Sequence, residues 1–67
     1  MKIVSRKIKL ELANQKLTVA DLSRKSGLST FTINRVINGS HNVLPKTAGA
    51  LADALGLPAE QLIDMED

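Results

Sequence analysis

Ser29-Thr30-Phe31-Thr32-Ile33-Asn34-Arg35-Val36-Ile37-Asn38-Gly39 is the stretch whose reading decides the fold. Ser29 has the hydroxyl an N-cap needs, able to accept from the free amides of a first helical turn. Gly39 enters the left-handed conformation at no steric cost, so it stops a helix. Between them Ile33, Val36 and Ile37 recur at helical spacing and make one apolar face. Phe31, Asn34, Arg35 and Asn38 fall on the other face. It carries the chain's single aromatic residue, two amides and a guanidinium. Amides and arginine pair with base edges in a DNA major groove, and a phenyl ring meets a thymine methyl. The stretch predicts a DNA recognition helix. Each residue also has a plainer reading. Arg35 would face phosphate or solvent, Asn34 would be an exposed residue of poor helix propensity, and Asn38 a helix end before glycine. Phe31 would sit in the core, against which the placement of Ile33, Val36 and Ile37 argues.

On the amino-terminal side, Thr18 to Ser26 reads as a second helix opened by a capping box, with Thr18 and Asp21 each serving an amide of the other. Leu22 is its core anchor, flanked by Val19 and Ser23. Gly27 ends this helix, Leu28 fills the gap and Ser29 caps the next. Two helices joined by Gly-Leu-Ser make a helix-turn-helix, whose second helix enters the groove. Further back, Ser5 to Gln15 reads as a helix with Ile8 and Leu12 inward and Leu10 and Ala13 broadening the apolar side. Met1 to Val4 has two readings, a frayed lead-in or an extended arm.

On the carboxy-terminal side, Ser40 to Val43 is a polar loop. Leu44-Pro45 starts a fourth helix, since proline suits the first helical position. Ala48, Leu51, Ala52 and Leu55 form its inward stripe. Gly49 costs about 1 kcal/mol relative to alanine in a helix interior, so close packing is expected there. Gly56 ends the helix, and Pro58 to Ile63 makes a last turn or short helix. The expectation is a compact all-α domain over residues 1–67, with five helices at about 5–15, 19–26, 30–38, 45–55 and 59–63.

The 67 residues are enough for one small domain, and the chain has no cysteine for disulfides or thiolate metal sites. So small a core seldom supplies more than roughly 3–5 kcal/mol unless its helices pack well or it oligomerises. No apolar run reaches membrane-spanning length, and charge interrupts the first six residues too soon for a signal peptide. A cytoplasmic location is expected, with no membrane association. The net charge of +2 conceals an asymmetry. Residues 1–46 hold all nine Lys and Arg against Glu11 and Asp21, giving +7; residues 47–67 hold five acids and no base. The basic part suits an anionic partner, and the acidic end points elsewhere. His41 is the sole histidine. It has no nucleophile or ligand set around it, so neither catalysis nor a metal or cofactor is expected.

Thr18 through Gly39 resembles the helix-turn-helix of the lambda repressor/Cro family, and the flanking helices, with Ala54-Leu55-Gly56-Leu57 and Leu62, resemble that family's ending. The likeness extends over about residues 8–63. The core, including Thr18-Val19, Asp21-Leu22, Gly27-Leu28-Ser29, Thr32 to Asn38 and Val43 to Lys46-Thr47, is also similar to the DNA headpiece of lac-repressor-type proteins. That headpiece opens directly on the helix-turn-helix, whereas a helix precedes it here, so the lambda repressor/Cro likeness is preferred. It implies base contacts from Thr30, Phe31, Asn34 and Arg35. Contacts to the DNA backbone are expected from Val19, Ser29, Asn38, Ser40, His41, Asn42 and Lys46, with Arg24 and Lys25 adding charge. The chain departs from the family where glutamines often open the second and third helices: Val19 and Thr30 stand there, and neither side chain has the amide that the usual glutamine–adenine contact uses.

Leu57, Leu62, Ile63 and Met65, with Ile3 and Val4, are more apolar residues than the ends of so small a core need. They either seal the core or, for the four near the carboxy terminus, form a two-fold dimer contact. The functional expectation is a Cro- or repressor-like regulator that binds double-stranded DNA as a homodimer on a pseudo-palindromic operator and blocks the promoter. The alternative is an antitoxin or adaptor whose main role is to bind a partner protein through its acidic end.

Overall fold

Short-range signals lay out the chain in the computed structural model, which describes residues 2–39 and 42–63. The helices are α1 (Ser5–Gln15), α2 (Val19–Ser26), α3 (Thr30–Ile37) and α4 (Pro45–Leu55), followed by a 3-10 turn at Ala59–Gln61. The architecture is all-helical, as the periodicities predict. The expected fifth helix over 59–63 is reduced to that single turn, and α3 ends one residue early, with Asn38 as its C-cap.

Each boundary has a local cause. The Thr18–Asp21 capping box is complete: the Asp21 amide donates to Thr18 Oγ1 at 3.1 Å and the Thr18 amide donates to Asp21 Oδ2 at 3.0 Å. Gly27, at φ +76°, ends α2 in the left-handed conformation that a side chain would strain. α1 ends at Gln15, as expected, but by a step that the sequence does not announce. Lys16, a non-glycine residue at φ 58°, adopts the left-handed form while its amide and that of Leu17 close on Ala13 and Leu12 carbonyls.

The core is a single cluster built from the predicted stripes. Ile8, Leu22, Ile33, Leu51 and Leu62 are completely buried, joined by Ile3, Val36, Ala48, Ala52 and Leu55. α2 packs on both α3 and α4, α1 packs on α3, and the 3-10 turn packs on α4. No polar or charged side chain is buried among the described residues. The bonds between elements lie at the cluster's margin. Ser5 Oγ donates to the Val36 carbonyl at 2.5 Å, and Gln15 Nε2 donates to the Leu55 carbonyl at 2.7 Å.

Four expectations need correction. Lys2 and Ile3 are neither frayed nor an arm; they bridge antiparallel to Asn42 and Ile63, Ile3 is 3% exposed, and the Val4 amide donates to the Leu62 carbonyl at 2.8 Å. Leu10 and Ala13 do not widen the apolar side of α1. Leu10 lies two residues from both Ile8 and Leu12, roughly 200° around the helix, and is 51% exposed. Gly49 has no close neighbour, for a Cβ built on it meets nothing within 4 Å. Leu62, expected at a dimer contact, is completely buried in its own chain's core.

Two measurements follow from these local features. With open space at Gly49 and no packing to lose, Gly49→Ala is expected to raise stability by about 1 kcal/mol, read as a higher denaturation midpoint at unchanged m-value. The Asp21 carboxyl is held below the usual carboxylate range by the hydrogen bonds from the Thr18 backbone and side chain, then by Arg24 and Lys25. A depressed native pKa stabilises above the unfolded value and ceases to as pH falls through the native one. Wild type should therefore exceed Asp21→Asn in stability above about pH 4 and lose that margin progressively below it. A margin that persisted at pH 2 would show that the carboxylate charge is not its source.

Candidate nucleic-acid interface

The burial of Ile33 and Val36 leaves the opposite side of α3 outward. Thr30, Phe31, Asn34, Arg35 and Asn38 are all exposed there, Phe31 by 70%. The predicted base-reading residues thus share one surface, and Phe31 is not a core residue. The Arg35 guanidinium carbon sits 5.8 Å from the Phe31 ring centroid, within cation–π range. This pairing follows from their i, i+4 spacing, which brings side chains one helical turn apart together.

The start of α3 is held by Ser29. The Thr32 amide donates to Ser29 Oγ at 3.1 Å, and the Ser29 hydroxyl donates to Thr32 Oγ1 at 3.0 Å. Ser29, expected to touch the DNA backbone, is engaged in the helix cap through both of these bonds. Thr32 shares the hydroxyl bond from inside α3. It borders a cleft between α3 and the start of α4, lined by Thr32, Arg35, Val36, Asn42, Val43 and Thr47. Hydroxyl, amide and guanidinium groups of this kind hydrogen-bond phosphate oxygens. Thr32 and Thr47 were missed as cleft residues from the sequence, because neither stands out by type and the cleft brings together residues of α3 and α4 that are distant in sequence. Asn42 was expected, and its antiparallel bridge to Lys2 fixes its place.

The other expected backbone contacts are spread around this surface. Val19 is the first residue of α2, with its side chain packed against the core, so only its backbone amide suits an anion. Lys46 is exposed in the first turn of α4, where Leu44 supplies no side-chain cap and Pro45 no amide. Ser40 and His41 lie outside the described residues, as does Met65. Arg24 pairs with Asp21 at the surface, while Lys25 is exposed. At the far end Leu57 and Ile63 are half-buried against the core, so of the four residues expected at a dimer contact these two keep described apolar surface. No helix among the described residues is long and apolar enough to cross a membrane.

A search of curated proteins returned no match. Solved structures that resemble the chain include a point mutant of hydroxyethylphosphonate dioxygenase, at TM-score 0.83 and 28% identity. PhpD with cadmium and hydroethylphosphonate resembles it at TM-score 0.80 and 29% identity. Both likenesses cover 100% of this chain but 15% of the other, so the chain spans only a small part of those proteins' length. A family model described as helix-turn-helix matches residues 8–62. With that match over most of its length, a complete capping box, a glycine turn and an outward-facing α3, the chain belongs to the lambda repressor/Cro-type helix-turn-helix family, a family of DNA-binding regulators.

Proposed function

We propose that this chain is a sequence-specific regulator of transcription. It binds a pseudo-palindromic operator in double-stranded DNA as a homodimer and occludes the promoter. The observation that carries this reading is the exposed face of α3, where Phe31, Asn34, Arg35 and Asn38 stand clear of a core that uses none of them. α3 enters the major groove with its amino-terminal end foremost, so Thr30, Phe31, Asn34 and Arg35 meet base edges. Asn38, Asn42, Lys46 and the amide of Val19, with Ser40 and His41, approach the flanking phosphates. Leu57 and Ile63, with Met65, supply the two-fold contact, which sets the two recognition helices about 34 Å apart. The acidic residues after position 46 then lie away from the DNA.

A second reading rests on the charge asymmetry, since residues 47–67 hold five acids and no base. The chain would then be an adaptor or antitoxin module, using that acidic end to hold a partner protein.

Selection from a random duplex pool at two salt concentrations separates the two. An enriched palindrome with half-sites about ten base pairs apart supports the dimeric regulator. Weak, steeply salt-dependent binding without a motif supports the adaptor. On the enriched duplex, Arg35→Ala is expected to cost about 1–3 kcal/mol and relax base preference at one position. Lys46→Ala should weaken all sequences alike and lower the salt slope by about 1. An Arg35→Ala protein with unchanged affinity and preference would remove Arg35 from the reading face.

A further inference from the structure

We propose that Phe31 positions Arg35, and that the two read one composite feature of the operator: a guanine with a pyrimidine C5-methyl group one or two base pairs away. This rests on the DNA-reading function proposed above and names part of what is read.

Three observations converge on it. First, Phe31 is 70% exposed, while Ile33 and Val36 occupy the buried side of the same helix. The ring therefore has no part in the core. Second, Arg35 lies over that ring at 5.8 Å from its centroid. An unrestrained arginine at this position has three destinations: a base edge, a phosphate, or the cleft that it borders with Thr32 and Asn42. Phe31 precedes Arg35 by one turn, so stacking draws the guanidinium toward the amino-terminal end of α3. That is the end which enters the groove in a helix-turn-helix. The ring thus competes for the guanidinium of an arginine that also borders the cleft, and holds it toward the base-reading end. Third, the ring has surface left to meet a neighbouring base pair. The apolar group available in the major groove is the C5-methyl of thymine, and Arg35 donates to guanine O6 and N7. Side chains stacked on one another at 5.8 Å reach neighbouring base pairs, which rise about 3.4 Å apart, so the methyl is sought one or two steps from the guanine.

The test uses the intact chain and the duplex enriched by wild type. Two altered duplexes are compared with it: one with 7-deazaguanine at the contacted guanine, which lacks the N7 acceptor, and one with uracil for the adjacent thymine, which lacks only the methyl. Wild type should lose about tenfold in affinity to 7-deazaguanine and severalfold to uracil. Phe31→Leu keeps an apolar side chain but no π-face. It should lose most of the 7-deazaguanine penalty while its thermal midpoint stays at the wild-type value. Phe31→Tyr, which restores the ring, should restore the penalty. Phe31→Ala should bind uracil and thymine duplexes alike.

If Phe31→Leu shows the full 7-deazaguanine penalty, Phe31 does not position Arg35. If wild type binds the uracil duplex as well as the thymine duplex, the methyl contact is wrong. Either result leaves the enriched operator, and hence the DNA-reading function, in place. If wild type enriches no motif, the DNA-reading function is overturned and this proposal with it.

Discussion

Burial of Ile33 and Val36 sets the rotation of α3 about its own axis, and everything outward on that helix follows from it. An α-helix turns about 100° per residue, so two buried positions three apart leave 31, 34, 35 and 38 on the far side. The two side chains are 0% and 2% exposed in the cluster that includes Leu22 and Leu51. Rotating α3 by one residue would bury Asn34 and expose Ile33, an unpaired amide in exchange for a lost core residue. The bond from Ser5 Oγ to the Val36 carbonyl adds a second restraint at the carboxy-terminal end of the helix.

The entry to α3 is held by short polar bonds rather than by more core. Ser23 Oγ donates to the Leu28 carbonyl at 2.5 Å, and the Leu28 amide donates to Ser26 Oγ at 3.2 Å. The last turn of α2 thereby grips the connection that carries it into α3. Gly27 supplies the left-handed step that this grip requires. These bonds sit at the margin of an apolar core that buries no polar side chain among the described residues, so they set direction without a buried polar group to satisfy.

What was legible in the sequence was local. The capping box, the Gly27 turn and the stripe Ala48, Leu51, Ala52 and Leu55 each involve residues within two or three turns, and their physics is complete at that range. The outward face of α3 was legible for the same reason. Pairings distant in sequence were not. Ile3 bridges to Ile63, and Lys2 to Asn42; strand propensity allowed an extended start, but nothing local named its partners. Leu62 resembled surplus apolar surface until that amino-terminal segment closed over it. Leu10 was misplaced because hydrophobicity was read without its angle, and Gly49 because a helix-interior glycine was taken to imply a close neighbour. The Phe31–Arg35 stack lies between these cases: the spacing permits it, and the side-chain conformations decide it.

Stability and the proposed recognition therefore fall to different residues of one eight-residue helix. Ile33 and Val36 hold the fold, and Ser29 with Thr32 holds the cap. Phe31, Asn34 and Arg35 make no contribution to the core, and exposed positions of that kind tolerate substitution within about 0.5 kcal/mol. The residues of that face can change while the scaffold beneath them stays the same. The cleft is different, because Thr32 belongs to both the cap and the cleft, and Asn42 to both the cleft and the bridge with Lys2. Substitution there alters scaffold and surface together. In the proposed regulator, base preference is thus the more freely variable property, and the grip on the DNA backbone is tied to the integrity of the fold.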